Sequence, residues 1–180
     1  MTSRKPDPRR LDVAAAAADA LRLEGRWPLA GFERLRDGAA QDGDVQWSIR
    51  GEQRAVPGAE AEIWLHLTVH AHVWRDCQRC LQPVALDLDL ARALRFVANE
   101  ATAEALDADS EDDVLALPRY LDLHGLVEDE LLLALPLVPM HALCPQSLPT
   151  SVGFAAGDAP VEPAPHPFAA LAGLQGRHKG

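Results

Sequence analysis

The sequence "IWLHLTVHAHVWRDCQRCLQPVALDLDL", residues 63–90, contains two runs in which every second residue is apolar. Alternation of this kind is typical of β-strands with one buried face. The apolar side chains occupy odd positions before the central pair of cysteines and even positions after it. An antiparallel hairpin that folds between Gln78 and Arg79 brings the two apolar faces together and places Cys77 opposite Cys80.

The polarity of opposed residues supports this hairpin. The predicted register pairs Val69 with Leu88, which are both apolar, and His70 with Asp87, which are both polar. Because one face of the sheet is expected to be buried, opposed residues should share their polarity, and in this register they do.

Further extended segments are predicted on both sides of the hairpin. Residues 45–49 alternate in the same way and pair with the hairpin through a turn near Pro57 and Gly58. Residues 114–123 indicate a short strand or an extended segment. Residues 99–113 are acidic and of low complexity, which predicts a mobile surface loop.

Two helices are predicted to flank the strands. Asp12 is a suitable N-cap for a helix that runs through the alanines to about Leu23, with Gly25 as its stop signal. Asp122 is a suitable N-cap for a second helix that includes residues 126–135. The predicted fold class is therefore α+β, with an antiparallel sheet of hairpin-connected strands packed by an N-terminal and a C-terminal helix.

The composition changes near the C-terminus. Residues 1–148 are predicted to form a single domain, whereas residues 149–180 are rich in proline, alanine and glycine and are predicted to form a flexible tail. A short apolar segment within the tail, residues 167–174, is predicted to dock on the domain or on a partner. Its apolar side chains include Phe168, Leu171 and Leu174.

The net charge limits the possible partners. The chain has 17 basic and 27 acidic side chains, a formal net charge of −10. This charge argues against non-specific binding to nucleic acid phosphates, which requires positive charge. An RNA partner would have to bind at a local surface of the protein or through another protein.

The sequence predicts a cytoplasmic protein without a membrane partner. Asp12 and Asp19 interrupt the alanine run near the N-terminus, which is too weakly apolar for a secretory signal. No segment reaches the roughly 18 consecutive apolar residues of a membrane span.

The cysteines form a candidate metal site. Cys77 and Cys80 flank a turn, as in a zinc knuckle, and His141 and Cys144 have the same spacing, so the four residues would form a Cys3His site for Zn²⁺. Alternatively, the cysteines are small buried apolar residues and His141 is an exposed loop residue. A redox pair fits less well, because that motif normally begins a helix in a βαβ unit.

The polar face of the hairpin offers two further candidate sites. His66, His70 and His72 lie opposite Asp87 and Asp89, and they form either a metal or titrating site or a solvated sheet face. A basic and aromatic set near the hairpin has the pattern of RNA or partner contacts, or alternatively keeps the strands soluble and covers the sheet. This set consists of Arg75, Arg79, Trp74, Arg92 and Arg95.

The sequence favours a non-enzymatic protein. It contains no nucleophile elbow, phosphate-binding loop or H-E-x-x-H zinc motif. The carboxylates of the "VEDE" stretch, residues 127–130, are interpreted as a charged helix face because no second catalytic group is near them in the sequence.

Three motifs in order give the chain a family resemblance. They are "CQRCLQPV", then "LVEDELLLALPLVPMH" with a cysteine three residues later, and then "HPFAALAGL". Their order and spacing resemble the YceD family of bacterial and plastid proteins. The resemblance covers most of the chain and is weakest in the acidic stretch and the proline-rich tail.

The resemblance implies a role in the accumulation of 23S large-subunit ribosomal RNA, meaning its synthesis, processing or stability. Many members of the family resemble a four-cysteine metal protein with a second C-x2-C after the helix. In this chain His141 and Cys144 stand at that place, a departure that keeps a ligand type accepted by zinc. The resemblance implies no catalytic residue.

We therefore expect a non-enzymatic ribosome biogenesis factor with no small-molecule substrate. Its expected partner is large-subunit rRNA or its precursor, reached directly or through a basic ribosomal protein. Two alternatives remain open: a metal-dependent RNA-processing enzyme that uses the histidine face, and a zinc-stabilised protein-interaction module without a ribosomal link.

Overall fold

A computed structural model describes residues 6–36, 43–108, 110 and 112–145, all of which belong to the first of two units, Met1–Gln146 and Ser147–Gly180. The α-helices of this part are α1 Val13–Ala18, α2 Glu100–Asp107 and α3 Leu123–Ala134. The strands are β1 Arg22–Pro28, β2 Asp44–Arg54, β3 Glu62–Asp76, β4 Pro83–Val97 and β5 Asp113–Ala116. The predicted tail, residues 149–180, with its docking segment 167–174 and the side chains of Phe168, Leu171 and Leu174, lies outside the described residues. No described helix has the length and apolar character that crossing a membrane requires.

The strands form one mixed sheet in the order β1-β2-β3-β4-β5. Neighbours from β1 to β4 are antiparallel, whereas β5 runs parallel to β4. The predicted α+β class is confirmed, but the prediction of a wholly antiparallel sheet is wrong at β5, because the chain crosses over through α2 before it enters this strand. Val45 of β2 pairs with Ala71 of β3, which confirms the predicted turn near Pro57 and Gly58.

The register of the β3–β4 hairpin differs from the predicted one by two residues. Val69 pairs with Leu90 instead of Leu88, and His70 pairs with Asp89 instead of Asp87. A shift of two residues leaves every side chain on its predicted face of the sheet. The apolar faces of the two strands therefore still meet.

The shift arises in the turn at the hairpin tip. The N–H of Cys77 donates to the carbonyl of Gln82, and the N–H of Leu81 donates to the carbonyl of Cys77. Leu81 itself adopts a left-handed backbone conformation with φ of 59°. The residue across from Cys77 is thus Gln82, and the prediction that Cys80 lies there, in a two-residue turn, is wrong.

The N-terminal helix is shorter than predicted. The carboxylate of Asp12 accepts from the N–H of Ala15 at 3.0 Å, as expected of an N-cap. The helix was predicted to continue to about Leu23, but Leu23 lies in β1, where it pairs with Ile49 and is buried. Ala20, with φ of 47°, turns the chain away from the helix. The gain from burying Leu23 in the sheet outweighs the helix propensity of the preceding alanines.

The acidic stretch, residues 99–113, was predicted to be a mobile loop, and this prediction is wrong for its first half. Helix α2 forms there because the side chain of Asn99 caps it by accepting from the N–H of Thr102 at 2.9 Å. Ala103 is buried, so one side of α2 packs against the domain.

One apolar core joins the sheet to α1 and α3. Its largest fully buried members from the strands are Val45, Leu65, Leu67, Val69, Val73 and Leu94. Its members from the two helices include Val13, Leu123, Val127 and Leu131. Each such side chain stabilises the fold by roughly 1.5–3 kcal/mol on burial.

The predicted N-cap of α3 is confirmed, because Asp122 accepts from the N–H of His124 at 3.1 Å.

Helix α1 packs closely against β2 at a glycine. The N–H of Leu21 donates to the carbonyl of Ala16, and the N–H of Gly51 donates to the carbonyl of Leu21. A Cβ at position 51 would overlap the backbone carbonyl of Ala16. Only glycine allows this approach without a backbone shift.

We expect Gly51→Ala to lower the free energy of unfolding by about 2–3 kcal/mol, because α1 would have to move away from β2. Urea denaturation of the purified protein measures this value. Gly125→Ala in α3 is the matched control. A Cβ there meets only Asp122 at 3.5 Å, so its stability should stay within about 1 kcal/mol of the wild type. Equal stability of the two variants would contradict the close packing at Gly51.

Candidate metal centre

The candidate metal centre lies where the β3–β4 tip meets the segment after α3, residues 135–145. The N–H of Gln78 in the tip donates to the carbonyl of Pro139 in that segment at 2.9 Å, which holds the two together. The structure brings all four predicted ligands to this point. They are Cys77, Cys80, His141 and Cys144.

The ligand atoms of the four residues all lie within 4.8 Å of one another. The Sγ atoms of Cys77 and Cys144 are 3.9 Å apart, and Sγ of Cys80 is 3.4 Å from Nδ1 of His141. None of the three cysteines forms a disulfide, and Cys77 and Cys80 are buried. The result is a Cys3His group that could hold a metal ion.

The spacing fits a tetrahedral ion. Zinc–sulfur bonds of about 2.3 Å at tetrahedral angles place two sulfurs about 3.8 Å apart. The orientation of the imidazole also fits, because Nε2 of His141 lies 3.0 Å from the carbonyl oxygen of Pro83. Nε2 donates its proton to this carbonyl, so the lone pair of Nδ1 faces Cys80 and is available to a metal.

Two opposing effects set the pKa of the Cys77 thiol. Burial raises this pKa because it disfavours the charged thiolate. The backbone N–H groups of His141, Arg79 and Cys80 favour the thiolate, and together they lower the pKa to about 5. The nitrogen of His141 lies 3.4 Å from this sulfur. Cys77 is thus a thiolate at neutral pH, the form in which cysteine binds a metal.

The pKa of the Cys144 thiol is shifted in the opposite direction, upward. Burial raises this pKa, and hydrogen bonds with Cys80 and Cys77 raise it further. A metal that binds Cys144 at neutral pH therefore has to displace a proton.

Arg79 lies beside the same cysteine, which the sequence analysis did not anticipate. Its Nη1 atom is 4.0 Å from Sγ of Cys144, and its Nη2 atom is 3.9 Å from Sδ of Met140. The guanidinium of Arg79 therefore lies directly beside the candidate metal centre. The available sequence signal was its position between two ligand cysteines.

The other arginines of the predicted contact set lie on different faces of the sheet. Arg92 faces α3 and donates to Glu130 at 2.8 Å, whereas Arg95, on the opposite face, binds Glu62 at 2.8 Å. Arg75 donates to the backbone carbonyl of the neighbouring Trp74. The structure therefore does not join these residues into one basic patch, and their contact with RNA or a partner stays a prediction.

Two carboxylates of α3, within the stretch 127–130 that was interpreted as a charged helix face, are buried and paired with arginines. Glu128 accepts from the backbone N–H of Arg34 at 2.7 Å and from its Nε at 3.1 Å. Glu130 accepts from Arg92, as above. These ion pairs fix α3, and thereby the start of the segment that carries His141.

The three histidines of the polar face do not converge on one point. Each contacts its own carboxylate at 2.5–2.7 Å, and these pairs are His66 with Glu52, His70 with Asp89 and His72 with Asp87. Hydrogen bonds from Arg54 and His66 lower the pKa of Glu52 to about 2. Within the described part of the chain, the Cys3His cluster is the only group of three or more His, Cys, Asp or Glu residues whose ligand atoms are close enough to share a metal ion.

We expect one thiol of the metal-free protein to ionise with a midpoint near pH 5. Because its pKa is lowered, this thiol is protonated only below that pH and stays a thiolate above it. The ultraviolet absorbance of thiolates during a pH titration measures the step. Cys77→Ser should remove the step and Cys144→Ser should retain it, and a wild type without ionisation below pH 7 would contradict the assignment.

Comparisons with known proteins give the chain a family. The family model described as large ribosomal RNA subunit accumulation protein YceD matches residues 65–175, which is more than half of the chain and includes all four ligands. A relative from Haemophilus influenzae, named large ribosomal RNA subunit accumulation protein YceD, is 41% identical over 104 residues. This match covers 56% of the chain and 58% of the relative. No solved structure matches the chain. By the extent of the match over residues 65–175, the chain belongs to the YceD family.

Proposed function

We propose that this protein is a non-enzymatic ribosome biogenesis factor that supports the accumulation of 23S ribosomal RNA, through its synthesis, processing or stability. The family match over residues 65–175 carries the proposal. The Haemophilus influenzae relative is named for accumulation of the large ribosomal RNA subunit, and the chain spans 58% of its length. The proposed site of action is the cytoplasm, where the large subunit is assembled.

The non-enzymatic part of the proposal is supported by the histidine face. A metal-dependent nuclease would need ligands that converge on one point. His66, His70 and His72 instead contact three different carboxylates. Pairs of this kind are typical of a polar sheet surface.

We infer that the Cys3His group holds Zn²⁺. Thiolate and imidazole donors in a tetrahedral arrangement select zinc over the harder cations magnesium and calcium. Four protein ligands leave no position open for a substrate or a water, so the site is structural. A zinc ion would supply a cross-link between the β3–β4 tip and the segment after α3.

The charge of the chain favours an indirect contact with rRNA. A net charge of −10 repels phosphate and attracts a basic protein. Arg92 and Arg95, two of the predicted contact residues, already bind Glu130 and Glu62. We therefore propose that this factor binds a basic ribosomal protein, which in turn binds large-subunit rRNA or its precursor.

We expect elemental analysis of the protein, purified without a histidine tag, to find about one zinc ion per chain. The variant Cys77→Ser, Cys80→Ser should contain none, because it keeps only two of the four ligands. His70→Ala, His72→Ala is the matched control and should retain the zinc, since both histidines lie outside the cluster. A metal-free wild type as stable as the zinc-treated protein would rule out the zinc site.

In a strain that lacks the gene, we expect 23S rRNA and large subunits to fall relative to 16S rRNA and small subunits, and wild-type protein to restore both. Quantified rRNA and sedimentation of ribosomal subunits measure the effect. Unchanged rRNA and an unchanged sedimentation profile in the deletion strain would refute the proposed function and favour an interaction module without a ribosomal link.

The same strain separates the proposal from an RNA-processing enzyme. His66→Ala, His70→Ala, His72→Ala should still restore 23S rRNA, because the proposed factor does not use these side chains chemically. A folded triple variant without any restoring activity would favour the enzyme.

A further inference from the structure

The exposed apolar side chains of the described residues are concentrated at one end of the domain. Six of the seven large ones belong to the hairpin tip, the end of α3 or the segment after it, and Tyr120 is the exception. We name five of them the tip patch: Leu81, Leu137, Val138, Met140 and Leu143. Leu137 is 101% exposed, Leu143 89% and Leu81 73%. Exposed apolar groups that cluster in this way mark an interaction surface.

The candidate metal centre holds the tip patch together. Leu81 follows Cys80 and Leu143 precedes Cys144, and the sulfurs of these two cysteines lie within 4.8 Å of each other. Met140 is joined to the hairpin tip by its contact with Arg79. The patch is therefore presented by two chain segments that share one centre.

Leu81 is a residue that the turn itself does not favour. Its φ of 59° lies in the left-handed region, which costs a leucine free energy that a glycine would not lose. Its side chain is mostly exposed and so contributes little to the core. Local stability thus favours glycine at this position, and an exposed leucine held there despite strain points to a use outside the fold.

The charges around the tip patch identify the class of partner. Residues 135–145 contain no Asp, Glu, Lys or Arg. With a divalent ion bound, three thiolates leave the centre with a charge of about −1, which the guanidinium of Arg79 offsets. Exposed carboxylates follow along the hairpin, at Asp76, Asp87 and Asp89, and the whole chain has a net charge of −10. The patch is thus an uncharged apolar end on an acidic protein.

We propose that the tip patch docks a basic protein through an apolar segment of that protein flanked by Lys or Arg side chains. The apolar contact supplies affinity, and the acidic body attracts the partner and orients it. The patch has aliphatic side chains instead of the aromatic ones on which RNA bases stack. A second copy of the chain would bring two charges of −10 together. The inference rests on the proposed function, since it specifies how the factor would meet a ribosomal protein.

Photo-crosslinking in growing cells tests the partner class. The photoreactive residue benzoylphenylalanine replaces Leu143 in the full chain, and in a control protein it replaces Tyr120, which is exposed but lies outside the tip patch. We expect position 143 to crosslink to a protein with net positive charge, at an apolar residue identified by mass spectrometry, and position 120 not to do so. Crosslinks only to RNA, to a second copy, or to residues 146–180 of the same chain, or no crosslink at all, would overturn the proposal.

Substitutions then test the patch itself against the purified crosslinked protein. Leu81→Gly and Leu143→Ser should each weaken binding by about tenfold or more in calorimetry, since each removes one buried leucine from the interface. Both should keep the metal content of the wild type, and neither should lower its melting temperature, because Leu81→Gly relieves the left-handed strain and Leu143 is exposed. Tyr120→Ser should bind like the wild type. Unchanged binding by both leucine variants would overturn the proposal.

The deletion strain separates this inference from the proposed function. If wild-type protein has no effect on 23S rRNA, the proposed function fails, whatever the crosslinking shows. Suppose that wild-type protein restores 23S rRNA and that the double variant Leu81→Gly, Leu143→Ser restores it equally well. The proposed docking surface then fails while the proposed function stands.

Discussion

The structure depends on the apolar face of the β3–β4 hairpin. Each of these strands has 15 residues, and their alternation leaves one continuous apolar face and one polar face. Strand β2 extends the apolar face on one side, and α1 and α3 pack on it. Because every second residue is committed to the core, the remaining side chains face solvent, and His66, His70 and His72 pair there with carboxylates. Cys77 and Cys80 lie beyond Asp76 and Pro83, the last paired residues, so their side chains are available as metal ligands.

Alternation and local capping explain what could be predicted. The three long strands and the N-caps Asp12 and Asp122 follow from patterns within a few residues. Strand β1 was missed because a glycine interrupts its apolar face: Gly25 pairs with Trp47, and a Cβ at position 25 would overlap the indole. The register was wrong by two residues because it depends on the backbone of Leu81, and left-handed conformation is not expected of leucine.

The candidate metal centre was predicted in its ligands but not in its surroundings. Spacing of cysteine and histidine is visible in a sequence, so Cys77, Cys80, His141 and Cys144 could be selected. The groups that tune them are mostly main chain: N–H groups lower the pKa of Cys77, and a carbonyl orients the imidazole of His141. Any residue type supplies such groups, so residue identity does not reveal them, and only the fold places them.

The candidate metal centre and the tip patch occupy the same few residues, so the proposed metal would affect partner binding without having a chemical role. Ion pairs of Glu128 and Glu130 hold α3 to the domain independently of any metal. The segment after α3, residues 135–145, has no such ion pairs. Its described contacts to the tip are one backbone hydrogen bond, the contact of Arg79 with Met140 and the contacts around the thiols. Loss of the metal would therefore release this segment while the sheet and α3 stay folded. On this basis a metal ion bound at the proposed site would govern whether Leu81 and Leu143 form one surface, and its effect on activity would be an effect on partner binding.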